Sequence, residues 1–406
     1  MTTKEEFVAF TVCNLRYLPK ALVLARSFTA HHPGKQLKIF LFDRKVSLDR
    51  DDLPAEIHWI EDTGVPQLEQ LAFRYDIIEF STSLKPFLTL QLLQQARRVV
   101  FLDPDTCIYH SLQPILEDLE THSIILTPHY LKPQSDDVRE SDVGMMRFGS
   151  FNLGFYAVKD SEQGQSFLGW WSRRCIDLCY MESQFGLSTD QKWVTIAPAL
   201  FQDLHVSFNP GYNAAPWNLF ERQLSVDADG KFWVNDAYPL VFFHFSNFDR
   251  GDLEYLNKRS LIELGARKPE LLRLSQEYDA QLSANEVEAS KVRYAFDYMS
   301  DGEYISPTLR RAYACVLPEL PPDHDPFDSQ GPVGRFARKN GLFERSQHSY
   351  SSLGFRHMPE HQGKLRLVYV LMRFVLRFLG PNRFQNLSRL LVFLSSYRQT
   401  RGLWKL

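Results

Sequence analysis

Glycine is sparse in this chain and never spaced to cradle a dinucleotide: none of the 20 glycines lies two residues from another, so the Gly-x-Gly fingerprint is missing. Gly-Lys-Ser/Thr does not occur either, which excludes a P-loop, and there is no Gly-x-Ser-x-Gly elbow for a serine hydrolase. Five cysteines (Cys13, Cys107, Cys175, Cys179 and Cys315) leave an odd one and suggest no paired framework; a reducing cytoplasm fits them best. No apolar run reaches the length of a membrane-spanning helix. The opening residues, Met1-Thr-Thr-Lys-Glu-Glu, lack the basic-then-apolar order of a secretory signal. Both absences predict a cytoplasmic protein.

Acidic residues are missing after Glu360, while Lys364, Arg366, Arg373, Arg377, Arg383, Arg389, Arg398, Arg401 and Lys405 follow. The whole chain carries −3, so those nine cations leave −12 on residues 1–360. A body that acidic repels nucleic acid and excludes it as a partner.

What is present describes a globular protein larger than one average domain. Its 406 residues are 44% hydrophobic and 23% charged, with 31 phenylalanines that predict an aromatic-rich core. Apolar patterning predicts a β-α-β start: a strand at 7–12, a helix over 18–28 and a strand at 37–42. A third strand at 57–60, a helix over 84–95 and a buried strand at 99–102 continue the alternation. Strands at 123–127 and 151–158, helices over 166–180 and from 190, and a last strand at 240–245 complete it. Such alternation predicts an α/β fold with a mostly parallel sheet, which binds ligands beyond the carboxyl ends of its strands. Residues 253–311 read as helical and charged, and a Pro-rich break at 317–326 ends them. The polar segment 131–148 reads as a mobile lid. We divide the chain into 1–250, 251–362 and a basic tail, 363–406.

One strand end stands out. Arg98-Val-Val-Phe-Leu-Asp-Pro-Asp105 delivers two carboxylates where a buried strand emerges. Strand alternation places residues i and i+2 on one face, so both acids can address one site. Paired acids are costly unless a cation sits between them, and a divalent metal so held suits a diphosphate.

Two metal-like patterns elsewhere are weak. His357-Met-Pro-Glu-His361 has zinc-protease spacing, but Pro359 opposes the helix that geometry needs. Cys175 and Cys179 share a helix face without a second Cys/His pair, and read as buried structural thiols. A third match is a real rival: Phe-Leu-Asp-Pro-Asp-Thr also resembles the opening motif of haloacid-dehalogenase-type phosphatases, with Cys107 where Thr or Val is usual.

Several stretches, taken in order, resemble bacterial glycosyltransferases of the GT-A fold, especially family 8 of the retaining sugar transferases. They are Glu79-Phe-Ser-Thr-Ser-Leu-Lys-Pro86, Phe101-Leu-Asp-Pro-Asp105, Phe151-Asn-Leu-Gly-Phe155, Thr189-Asp-Gln-Lys-Trp193, Asn209-Pro-Gly-Tyr-Asn-Ala-Ala-Pro-Trp-Asn218 and Phe243-His-Phe245. The resemblance covers about residues 7–248. It implies a GT-A catalytic domain with a C-terminal helical extension, and a Mn²⁺ or Mg²⁺ held by Asp103, Asp105 and His244. The His ligand tilts that choice toward Mn²⁺. It also implies transfer of a sugar from a nucleotide diphosphate, UDP favoured, to a glycan or lipid-linked acceptor with retention of configuration. Thr11 and Asn14 would meet base and ribose, Lys85 and Asp103 the diphosphate, Asn152 and Asn213 the donor, and Asp190 and Gln191 would stand beside the anomeric carbon, Asp190 also capping its helix.

Relatives carry a Gly after the late His and a Lys shortly beyond, both on the phosphates. Here Ser246 and Asn247 follow Phe245, and no Lys appears until Lys258, so phosphate grip falls to other residues. A catalytically silent sugar-nucleotide or glycan-binding scaffold is a further alternative. The tail adds a basic amphipathic helix over 364–379, ended by Gly380-Pro381, and a second over 384–397. Both predict peripheral contact with an anionic membrane.

Overall fold

The computed structural model describes residues 4–48, 52–133, 142–260, 263, 265, 268–343, 362–396 and 401–406. They form two compact units, Met1–Phe296 and Asp297–Leu406. Residues 251–296 therefore belong with the sheet-bearing unit.

The first unit opens with β1 (Val8–Cys13), α1 (Leu18–His31), β2 (Leu37–Leu41) and β3 (Ala55–Trp59). Next come α2 (Leu68–Arg74), α3 (Ile77–Leu92), β4 (Arg98–Leu102) and β5 (Thr106–Ile108). The middle holds α4 (Gln113–Thr121), β6 (Ile124–Pro128), α5 (Val143–Phe148), β7 (Phe151–Lys159), α6 (Glu162–Leu178) and α7 (Gln191–Val194). It closes with β8 (Leu204–Val206), β9 (Leu224–Val226), β10 (Phe232–Val234), β11 (Tyr238–Pro239), β12 (Phe242–His244), α8 (Tyr255–Arg259) and α9 (Lys268–Ala284). The second unit contains α10 (Pro307–Val316), α11 (Pro332–Lys339), α12 (Gln362–Leu379) and α13 (Pro381–Leu394).

The α/β expectation holds. Seven strands form one sheet in the order β3-β2-β1-β4-β7-β6-β8, parallel except for β7, which runs against both its neighbours. Two-residue alternation sorts its side chains. Ala9, Val100 and Leu102 join a core with Leu22 and Leu24 of α1 and Leu116 of α4. Phe10 and Phe101 point the other way, 5.1 Å apart, and Phe101 stacks on Tyr156, which meets Trp171 of α6 at 5.1 Å. Such aromatic contacts each add about 1 kcal/mol beyond the area they bury. A sheet so sandwiched holds the carboxyl end of β4 rigidly.

Sequence and structure differ at informative places. The helix predicted over 84–95 starts at Ile77, because Asp76 caps it: Oδ1 accepts from the backbone N–H of Ile78 and Glu79, both at 2.9 Å. Glu79 returns the bond to the Asp76 N–H at 3.2 Å, a capping box that overrides the Ser-Thr-Ser run following it. Lys85 consequently lies inside the helix. The predicted strand at 240–245 is only β12, antiparallel to β5 with His244 opposite Thr106. In the predicted lid, 143–148 is helical, and 134–141 lies outside the described residues. His357 and His361 also lie outside them.

Candidate functional site

Strand alternation does not bring the two carboxylates together, as the sequence suggested; a turn does. β4 stops at Leu102, the Thr106 N–H closes onto the Asp103 carbonyl at 3.1 Å, and β5 carries the chain away. The β5–β12 pairing then delivers His244. Its Nε2 lies 3.1 Å from Asp105 Oδ1 and 3.8 Å from Asp103 Oδ2, with one ligand atom from each residue inside a 4.8 Å span. Among the described residues this is the one such group of His, Cys or carboxylate side chains, and Cys175 and Cys179 are free buried thiols.

The donor set fits a divalent cation. Two carboxylates supply charge and hard oxygen, and an imidazole supplies nitrogen, which suits Mn²⁺ better than Mg²⁺. Burial by itself would push the Asp105 carboxyl up, but the neighbouring His244 outweighs it and brings it to about 2. Burial likewise disfavours protonated His244, and Asp105 reverses that, raising the imidazole above its ordinary value.

Gly154 makes room for this ring. A Cβ there would lie 2.5 Å from His244 Cε1 and Nδ1 and 2.8 Å from Asn152 Oδ1. Gly154→Ala is therefore expected to displace His244 and weaken Mn²⁺ binding by tenfold or more, on the order of what losing a metal's supporting contacts costs. Calorimetric Mn²⁺ titration checks it, with the urea midpoint showing that the fold persists. Unchanged affinity would contradict the role given to this ring.

Beside the triad lies a buried cation between two acids. Lys85 Nζ is 3.1 Å from Asp103 Oδ1 and 3.5 Å from Asp190 Oδ2, and donates to the Leu153 carbonyl at 3.0 Å. Its burial disfavours charge, but the two carboxylates prevail and raise the ammonium. Asp190 is raised by burial, with Lys85 opposing. Asp190 does not cap α7: its side chain makes no cap bond. Instead Oδ1 accepts from the Thr189 hydroxyl at 3.1 Å and its carbonyl accepts from the Trp171 indole at 3.1 Å. Thr189 has φ +48°, a strained setting for a β-branched residue that the surroundings must enforce.

Gln191 is placed next to this group, but its amide is used internally. Oε1 accepts from the Leu153 N–H at 3.3 Å and Nε2 donates to the Phe148 carbonyl at 3.1 Å. Asn152 and Asn213 meet directly: Asn152 Oδ1 accepts from Asn213 Nδ2 at 2.9 Å and from the Gly154 N–H at 3.0 Å. Thr11 and Asn14 sit at the end of β1 in another group, where Asn14 accepts from the Tyr17 N–H at 3.2 Å and Asp43 from the Leu15 N–H at 2.6 Å. The Thr11 hydroxyl is buried and, among the described residues, has no hydrogen-bond partner. Among the described residues no hydrogen bond links either to the triad.

His129 was not singled out in the sequence, and Trp217 stood in the 209–218 stretch without a role. Trp217 stands edge-on to His244 with ring centroids 5.2 Å apart, and 6.1 Å from His129. His129 follows β6, so the strand-end rule that singled out Asp103 also applied to it. Burial pushes its imidazole down to about 4 from an ordinary 6.5. Between those values the unfolded chain takes a proton that the fold refuses. The stability is whole above pH 6.5 and falls as pH drops toward 4, by at most about 1 kcal/mol per pH unit, since the residue as a whole is only part-buried. Urea unfolding of the wild type should therefore lose more stability from pH 6.5 to 4.5 than His129→Gln does; equal losses would refute it.

No family model matches the chain. Two Bacillus subtilis (strain 168) proteins, both described as uncharacterized, are similar in sequence. YfnF is 28% identical over 176 residues, 43% of this chain and 58% of YfnF. YfnD is 24% identical over 249 residues, 59% of this chain and 76% of YfnD. The chain thus spans under two thirds of the first and three quarters of the second. Solved structures with likeness include the galactosyltransferase LgtC in complex with donor and acceptor sugar analogues, at 16% identity and TM-score 0.39 over 68% of this chain and 95% of LgtC. The bifunctional glycosyltransferase WbbM is 11% identical at TM-score 0.38, over 70% of this chain and 52% of WbbM. Mouse xyloside xylosyltransferase 1 is also 11% identical, at TM-score 0.36 over 60% and 98%.

Proposed function

We propose that this chain is a metal-dependent glycosyltransferase of the GT-A type that moves a sugar from a nucleotide diphosphate, UDP favoured, to a glycan or glycolipid, with retention. The observation that carries the proposal is the convergence of Asp103, Asp105 and His244 within a 4.8 Å span beside the Lys85–Asp190 pair. A bound Mn²⁺ or Mg²⁺ would act as a Lewis acid on the departing diphosphate. Lys85, fixed by three oxygen partners, keeps Asp103 in place and sets a buried positive charge beside the leaving group. Asn152, Asn213 and the Trp217 indole offer the donors, acceptors and apolar edge that sugar hydroxyls and ring faces require. Asp190 stands one lysine away from Asp103, a carboxylate held for the anomeric carbon.

Lys20 supplies the phosphate grip that the sequence after His244 lacks. The Ile108 N–H donates to Ser27 Oγ at 3.1 Å, and Val23 shares a core with Cys107. One further turn back along α1, Lys20 comes abreast of Asp105, whose charge it feels. Its ammonium lies 4.5 Å over the Tyr17 ring, and among the described residues it has no ion pair. With Asp105 committed to a bound metal, Lys20 would be free to face a diphosphate.

A panel of nucleotide-sugars incubated with the full chain and Mn²⁺ tests the proposal. Expected is Mn²⁺-dependent release of nucleoside diphosphate from one donor. Phosphate-monoester hydrolysis with no nucleotide requirement would install the phosphatase reading instead, and binding without turnover the scaffold reading.

A further inference from the structure

The second unit ends in helices whose apolar side chains face water. In α12, Leu367 is 73% exposed, Phe374 66% and Phe378 81%. In α13, each large residue from Leu390 to Leu394 is about half exposed, between 47% and 55%. α13 has no buried residue, and it follows α12 directly across Gly380 (φ +77°) and Pro381. Isolated exposed leucines need no explanation, but a contiguous apolar surface over two helices does.

The charges say what covers it. Arg366, Arg373 and Arg377 recur at i, i+7 and i+11 and so form one narrow stripe of α12, with Leu367, Leu371, Phe374 and Phe378 well round the helix from it. Residues 361–406 carry nine cations and no acid, so two such tails repel each other and a second copy is a poor occupant. Among the described residues no helix is long and apolar enough to cross a membrane. A cationic stripe beside a wide apolar face suits the boundary between lipid phosphates and acyl chains.

We propose that α12 and α13 dock in the plane of an anionic phospholipid surface, apolar side chains among the acyl chains and arginines at the headgroup phosphates. This docking does not depend on what the first unit catalyses. An acceptor that is lipid-linked or envelope-bound would then meet the enzyme at that surface.

Sedimentation of the full chain with extruded vesicles tests it. Wild type should bind phosphatidylglycerol-containing vesicles and bind pure phosphatidylcholine far more weakly, with added salt narrowing the gap. The triple change Arg373→Glu, Arg377→Glu, Arg383→Glu should weaken binding by well over 100-fold, since neutralising three cations alone costs on the order of 100-fold at roughly fivefold per cation. Phe374→Ser with Phe378→Ser should weaken it at least about tenfold while keeping the preference for anionic lipid. Circular dichroism checks that both variants keep their helices, and Arg→Gln versions should show a smaller loss in the same direction. Equal binding to both vesicle types, vesicle binding untouched by either set, or tail-dependent dimers that ignore vesicles would each overturn the proposal.

Discussion

Asp105→Ala is expected to lower Mn²⁺-dependent turnover by about 10³-fold, roughly 4 kcal/mol of transition-state stabilisation. The carboxylate is only 7% exposed and does two things at once. It would supply one of three ligand atoms, and it holds His244 Nε2 at 3.1 Å. Removing it takes away a ligand and also frees the imidazole that carries the third. The chain should stay folded, because β4 is held by backbone ladders to β1 and β7, and β5 by its own ladder to β12, and not by this side chain. The readouts are initial rate with the preferred donor and Mn²⁺ affinity by calorimetry, and both should fall together. Turnover within a few-fold of wild type would remove Asp105 from the chemistry.

Asp190→Asn should cut kcat on the order of 10²- to 10³-fold while leaving KM within about threefold, the pattern of a group that acts in the transition state more than in binding. The substitution keeps shape. Thr189 can still donate to the amide oxygen, the Asp190 carbonyl still receives the Trp171 indole, and Lys85 retains Asp103 at 3.1 Å. Lys85→Met is the instructive contrast. It leaves Asp190, 2% exposed, without its cation, and should destabilise the fold by about 3 kcal/mol, as breaking a buried pair does. Combining Lys85→Met with Asp190→Asn should recover much of that stability but none of the activity. Urea unfolding and steady-state kinetics on the three variants separate the two effects. If Asp190→Asn retains full kcat, the residue is structural.

Much of the architecture was legible because apolar residues alternate along β1, β2, β4 and β7 and recur at helical spacing on α1. Asp103 and Asp105 were legible for a chemical reason, two acids following a strand too buried to waste charge, whereas His244 entered through the family resemblance alone. What stayed hidden depends on contacts between distant segments. Nothing near Lys85 announces that Asp76 starts its helix two turns earlier, or that Asp190, 105 positions on, comes within 3.5 Å of it. The strand β5 is three residues long, too short for a periodic signal, yet it aligns His244 with Asp105. Lys20 becomes notable only once Ser27 is seen bonded to Ile108. Gln191 shows the converse. Its motif is plain in the sequence, while both ends of its amide are engaged by the backbone of Leu153 and Phe148.

The most direct measurement is calorimetric titration of UDP into the full chain, with and without Mn²⁺, in wild type and in a variant carrying Asp103→Ala and Asp105→Ala. If a cation held by this turn receives the diphosphate, wild type binds UDP at least about tenfold more tightly when Mn²⁺ is present, and the double variant shows no Mn²⁺ dependence. UDP affinity that ignores Mn²⁺ in the wild type, or a Mn²⁺ effect that survives loss of both carboxylates, would contradict it.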